Sequence, residues 1–223
     1  MLKRLVKIII GISLLPVCFG ASKAFYELLQ ALGTMEQTML YFLSGIGLYI
    51  LLYFSGLKMS FLYVLGHEST HALLALLCGG KVKAFKVSAQ GGSVAATKSN
   101  VLISLGPYCL PIYTILIIAG FFCATIFYPY INDYLQILIL LIGCSIAFHF
   151  LMTVHSLRVE QPDITENGYL FSLTLIYLIN LSIIALLLGG LFKQINILLF
   201  FRQTGIYTKS SAIFLWEKLQ SFK

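Results

Sequence analysis

The sequence predicts an all-α polytopic membrane protein with one short β-hairpin, on three observations. Mean hydropathy is +0.93, and 59% of residues are hydrophobic against 10% charged, a composition foreign to soluble domains. Apolar segments recur at about 5–20, 37–57, 60–78, 101–127, 134–154 and 168–192. Most match the roughly 20 residues needed to cross a hydrocarbon core, which gives about six transmembrane helices. The basic residues sit mostly at the ends of these segments.

Taken in order, the first segment lies in "MLKRLVKIIIGISLLPVCFG" and is followed by "ASKA". A basic start, a short apolar centre and small residues have the form of a signal peptide. A polytopic chain needs no cleavable signal, so we read a retained first helix. Only "LKMS" (Leu57 to Ser60) parts the second and third segments, which form a tight helical hairpin or one span beside a shallower element. The third ends at Gly79-Gly80, where "CGGKVKAFKVSAQGGSVAATKSN" gives two β-prone runs around Gly91-Gly92, hence a hairpin over Val82 to Thr97. In the fourth segment Pro107 and Pro111, four apart, kink or loosen the helix. Between the last two segments, "SLRVEQPDITENG" carries a proline that stops one helix and caps for the next. In the tail, "SAIFLWEKLQSF" puts Ala212, Leu215, Trp216, Leu219 and Phe222 on one face. That face suits an interfacial amphipathic helix or docking on the bundle.

The net charge of +7 comes from 15 basic and 8 acidic residues, dispersed rather than patched. Such a distribution fits lipid head groups and argues against a nucleic-acid partner. Cys18, Cys78, Cys109, Cys123 and Cys144 stand singly in apolar segments, as packing residues do. Topology stays open. With six spans and Lys3, Arg4 and Lys7 inside, the lysines at 81, 83, 86 and 98 fall outside, against the positive-inside tendency.

The stretch "VLGHESTHALLAL" (Val64 to Leu76) places three ionisable groups within an apolar helix. His67 and His71 are four apart and share a helical face, and Glu68 leans toward the same point without being needed as a ligand. This is the H-E-x-x-H pattern, in which zinc lowers the pKa of a water to about 7 and the glutamate takes its proton. A chance occurrence is on the order of one in a thousand for this composition. Ionisable groups at bilayer depth cost several kcal/mol each and persist mainly when paired, metal-bound or lining a wet cavity. Two histidines and a water leave zinc one protein ligand short, and the candidates are His149, His155, Glu160, Asp163 and Glu166. Asp163 also has a structural reading, as the N-cap of the last span with Glu166 three residues on.

His67-Glu68-Ser69-Thr70-His71, Gly79-Gly80, the Gly91-Gly92 hairpin, "SLGPY" and the late "QPD" together resemble the site-2-protease family of intramembrane zinc metalloproteases, particularly its small bacterial members. The resemblance runs from about Leu62 to Asn180, roughly half the chain. It implies that Asp163, in Gln161-Pro162-Asp163, is the third zinc ligand beside His67 and His71. It also implies that Glu68 is the catalytic base. Ile164 stands where the family usually has glycine, and Leu110 where an asparagine usually follows the Gly-Pro element, here Gly106-Pro107. The resemblance further implies that the hairpin holds a locally extended substrate by strand addition. Asn180 bonds a neighbouring helix, or the segment near Asp163, or positions the substrate backbone.

The expectation is a single membrane-embedded peptidase domain, 1–223, with a core over about 60–192 and an amphipathic tail at 193–223. Zn2+ is its cofactor. Its substrate is a membrane-anchored protein of one span, cut in or near the bilayer, as in regulated intramembrane proteolysis. Small size and the lack of eukaryotic sorting signals point to a bacterial cytoplasmic (inner) membrane. The rivals are a non-catalytic zinc-binding scaffold, a transporter-like bundle, and a zinc hydrolase acting on lipid or another amide.

Overall fold

The computed structural model describes residues 2–33 and 36–221. Its elements run α1 (Leu2–Gln30), α2 (Gln37–Phe54), α3 (Ser60–Leu77), β1 (Val82–Ser88), β2 (Gly91–Ala96), α4 (Val101–Cys109) and α5 (Ile112–Phe127). A 3-10 turn (Pro129–Tyr134) leads into α6 (Leu135–Ser156), followed by α7 (Pro162–Thr165), α8 (Tyr169–Leu191) and α9 (Ile197–Gln220). Helix and hairpin thus fall where the hydropathy and glycine signals put them. Chain contacts divide the protein into two compact units, Met1–Met35 with Pro162–Lys223, and Glu36–Gln161.

These apolar helices make the chain a membrane protein. Among the described residues, four stretches, Arg4–Gln30, Gln37–Phe54, Pro129–Ser156 and Tyr169–Leu191, are long and apolar enough to span, and α4 with α5 makes a fifth if the bent pair counts as one. The expected count of six is not confirmed among the described residues. Although α3 is 18 residues long, its His-Glu-Ser-Thr-His centre dilutes its hydropathy.

The unit formed by Glu36–Gln161 is organised around α6, whose span is 61% buried. Helix α2 lies against it backbone to backbone. Gly45 faces the Leu140 carbonyl and Gly143 faces the Phe42 carbonyl, each so closely that a Cβ would collide. Without a hydrophobic drive between helices in lipid, close approach at small residues is what holds such pairs. Tyr49, Ala147, Phe148 and Met152 fill the space beside this contact. Thr114 and Ser145 hydroxyls bond across α5 and α6 at 2.9 Å.

Proline chemistry breaks the fourth apolar segment, as its spacing predicts. Pro111 has no N–H to give to Pro107, and its ring crowds that carbonyl. Leu110, just before it, is pushed to an extended conformation (φ −89°, ψ 114°), and α4 and α5 meet at 73°. At the end of α3, Gly79 takes φ 71°. Its N–H donates to the Leu76 carbonyl at 2.8 Å, and that of Gly80 to the Ala75 carbonyl at 2.8 Å, a glycine-terminated helix end. The chain then enters the antiparallel hairpin, in register from Ala84↔Ala95 to Ser88↔Gly91. Ala89-Gln90 makes the turn, and the Gly91-Gly92 pair opens β2.

In the other unit, α1 continues ten residues past the expected end at 20, because Ala21, Ala24 and Leu28 supply a buried face. Against α9, Phe25 meets the Phe200 ring edge-on at 6.4 Å, the Lys23 ammonium lies 4.1 Å over the Tyr207 ring, and the Tyr207 hydroxyl donates to Glu27. Gly11 lets α1 touch the first turn of α8, where a Cβ would stand 3.0 Å from the Phe171 amide nitrogen. On the tail helix, Trp216 stays exposed, and Leu215 lines a groove with Leu15 and Phe19 of α1. The Leu219 side chain and Phe222, assigned to the same face, lie outside the described residues.

Replacing Gly45 or Gly143 by alanine is expected to cost about 1–3 kcal/mol through forced separation of α2 from α6. Gly47→Ala, with no atom within 4 Å of the new methyl, should be neutral or stabilising by about 1 kcal/mol. Unfolding midpoints in detergent micelles test the contrast.

Candidate metal centre

The site begins with two imidazoles one turn apart on α3. His67 and His71 have ring centroids 4.9 Å apart, as their i, i+4 spacing predicts. His71 Nδ1 lies 2.8 Å from the Ile103 carbonyl oxygen. A carbonyl can only accept, so Nδ1 carries the proton and the lone pair is left on Nε2, the arrangement found in metal-binding histidines. The acceptor is itself held in place. Asn100 caps α4, its side chain accepting from the Ile103 amide at 2.9 Å. Gly106 packs onto Leu74, bringing α4 against α3.

His67 is fixed by rings. Tyr108, fully buried, meets it edge-on at 4.9 Å, and Tyr63 lies at 5.7 Å. The Tyr108 hydroxyl donates to Gln161 Oε1 at 3.4 Å, and Gln161 Nε2 donates to the Ser156 carbonyl at 3.2 Å. Both ends of the Gln161 amide are thereby used to hold the segment just before Pro162-Asp163.

Glu68 is 7% exposed. It lines a cavity of about 360 Å³ together with His67, Gly91, Gly92, His155 and Gln161. At Gly92 a Cβ would sit 2.6 Å from Glu68 Cγ and 2.9 Å from Val64 Cγ1. Glycine there is what lets the hairpin close over the carboxylate's stem. The cavity gives the buried carboxylate a partly polar lining, which includes His67, His155, Ser156 and Gln161.

Asp163 lies in α7, one turn long. The reading of Asp163 as N-cap of the last span is corrected: Gly168 holds that position, with no side-chain cap bond, and α8 starts at Tyr169. The glycine at 168, with φ 87°, separates the Asp163 turn from α8. Asp163 belongs to the compact unit formed by Met1–Met35 and Pro162–Lys223, whereas His67 and His71 belong to Glu36–Gln161. His155 Nδ1 faces the Tyr53 hydroxyl at 3.3 Å, His149 is buried on α6, and Glu160 and Glu166 are exposed. The Asn180 amide donates to the Ile176 carbonyl of its own helix at 2.9 Å.

Three participants escaped the sequence reading: the Ile103 carbonyl, Tyr108 and the Asn100 cap. The first is a backbone atom and carries no sequence signal. The third had one, an asparagine directly before the apolar run of α4. Comparison of the chain with family models, curated proteins and solved structures finds no match.

Asn100→Ala should lower stability by about 1 kcal/mol, with Asn100→Asp close to wild type, since aspartate caps equally well. Thermal unfolding in micelles measures both.

Proposed function

We propose that the chain is a zinc-dependent intramembrane endopeptidase of the site-2-protease kind, cutting a membrane-anchored, single-span protein in or near the bilayer. The observation that carries this reading is the placement of Glu68, buried beside His67 at the wall of the 360 Å³ cavity. Ion binding alone needs no carboxylate there, whereas hydrolysis needs a base.

His67, His71 and Asp163 would hold the ion. Two imidazoles and a carboxylate are a donor set typical of catalytic zinc, which keeps one position open. Bound there, zinc would lower the pKa of a water to about 7 and polarise the scissile carbonyl. Glu68 takes the proton of the attacking water as the C–O bond forms. It delivers that proton to the amide nitrogen as the C–N bond breaks, so the amine leaves neutral. Ile103, through His71 Nδ1, keeps the donor nitrogen aimed and basic.

The hairpin supports the choice of substrate. Its sheet has two strands in the order β1-β2, so each strand has an edge that the other does not pair. Gly91 and Gly92 line the Glu68 cavity. A peptide unwound from its own helix adds to such an edge by main-chain hydrogen bonds. The bacterial cytoplasmic membrane and a role in regulated intramembrane proteolysis belong to the same reading.

Purified protein is expected to contain about one zinc per chain, removed by chelation and restored by added zinc. Glu68→Gln should retain the metal while lowering cleavage of a co-expressed single-span reporter by roughly 10²- to 10⁴-fold. Undiminished cleavage in that variant would sink the mechanism. A zinc-loaded wild type that cuts no membrane protein would favour the scaffold or transporter.

A further inference from the structure

The turn that carries Asp163 has little regular structure to hold it. It is a four-residue helix, set off from α8 by Gly168 in the left-handed region. What steadies it within its unit is a chain of side-chain bonds that starts on α1. Lys7 Nζ donates to Asn167 Oδ1 at 2.7 Å and approaches the Glu166 carbonyl at 3.5 Å. Asn167, 6% exposed, donates from Nδ2 to the backbone carbonyl of Asp163 at 2.8 Å. Ser172 adds a bond from α8 to the Ile164 carbonyl at 3.3 Å.

The chemistry of these partners leaves the amide one orientation. An ammonium only donates, so the oxygen of Asn167 must face Lys7. The Asp163 carbonyl only accepts, so the NH2 must face it. Removing the ammonium frees the amide to turn over and releases the Asp163 backbone. The charge on Lys7 also strengthens the bond it makes relative to a neutral donor. Gly11, one turn further along α1, fixes the distance by seating α1 on the start of α8.

We propose that Lys7, acting through Asn167, is a positioning residue for Asp163, so that the N-terminal helix governs how tightly the metal is held. The inference rests on the ligand role given to Asp163 under the proposed function. Lys7 is expected at the head-group level as a topology signal from sequence alone; here its ammonium is an internal hydrogen-bond donor. Partners that orient metal ligands typically change affinity by about 10- to 100-fold when lost.

The test is the rate at which full-length protein in detergent micelles surrenders zinc to a chromophoric chelator. Lys7→Met and Asn167→Ala should each speed release by about tenfold or more, and the double variant should be no faster than either single one. Lys7→Arg should restore slow release. Lys23→Met, on the same helix but stacked over Tyr207, should match wild type. Wild-type release from Lys7→Met, no rescue by arginine, or equal loss in Lys23→Met overturns the proposal. Asp163→Ala separates the two levels. If it sheds zinc while Lys7→Met does not, only the positioning role fails; if it holds zinc like wild type, the ligand assignment fails and the positioning role with it.

Discussion

The structure of the Glu36–Gln161 unit depends on one constraint: ionisable groups set in an apolar helix must be given partners. Two imidazoles and a carboxylate set among apolar side chains are costly to bury without polar partners. The unit answers with a backbone carbonyl for His71, a tyrosine edge for His67, and a cavity for Glu68. Each of these comes from an element that α3 could not supply. The proline break that bends α4 away from α5, the glycine that lets α4 approach Leu74, and the glycine that lets the hairpin approach Glu68 are conditions for that arrangement.

Helix pairs farther from the site obey a related rule. Where α2 meets α6, Gly45 and Gly143 remove the side chains that would hold the backbones apart. A unit whose stability comes from van der Waals contact at small residues tolerates polar groups on the opposite faces of the same helices. Helix α6 illustrates this, carrying Gly143 toward α2 and the Ser145 hydroxyl toward Thr114.

Much of the fold was legible because hydropathy and punctuation agree. Segment bounds at 60–78, 134–154 and 168–192 fall within about two residues of α3, α6 and α8, and Gly79-Gly80 ends α3 as glycine pairs do. The span count was less legible, since α3 has the length of a span but a polar centre that keeps it out of the candidate spans. The cap role of Asp163 failed for a local reason. The capping-box spacing is present, but Gly168 interrupts before the long helix begins, leaving a single turn. On the site, the i, i+4 spacing of His67 and His71 carried their common face. Nothing in the sequence pointed to Lys7, because a lysine near the start of an apolar helix reads first as a topology signal.

Under the proposed function, the open edge of the hairpin has a consequence for selectivity. Main-chain hydrogen bonds read no side chains, so an enzyme that recruits by strand addition discriminates among substrates chiefly by how readily each leaves its helix. A glycine near the cut lowers helix stability by about 1 kcal/mol, and a proline by about 3. Such residues would raise the extended population of one span over another by roughly 5- to 150-fold, since 1.4 kcal/mol is a factor of ten. Specificity would then be written in the helix propensity of the substrate rather than in pockets on the hairpin.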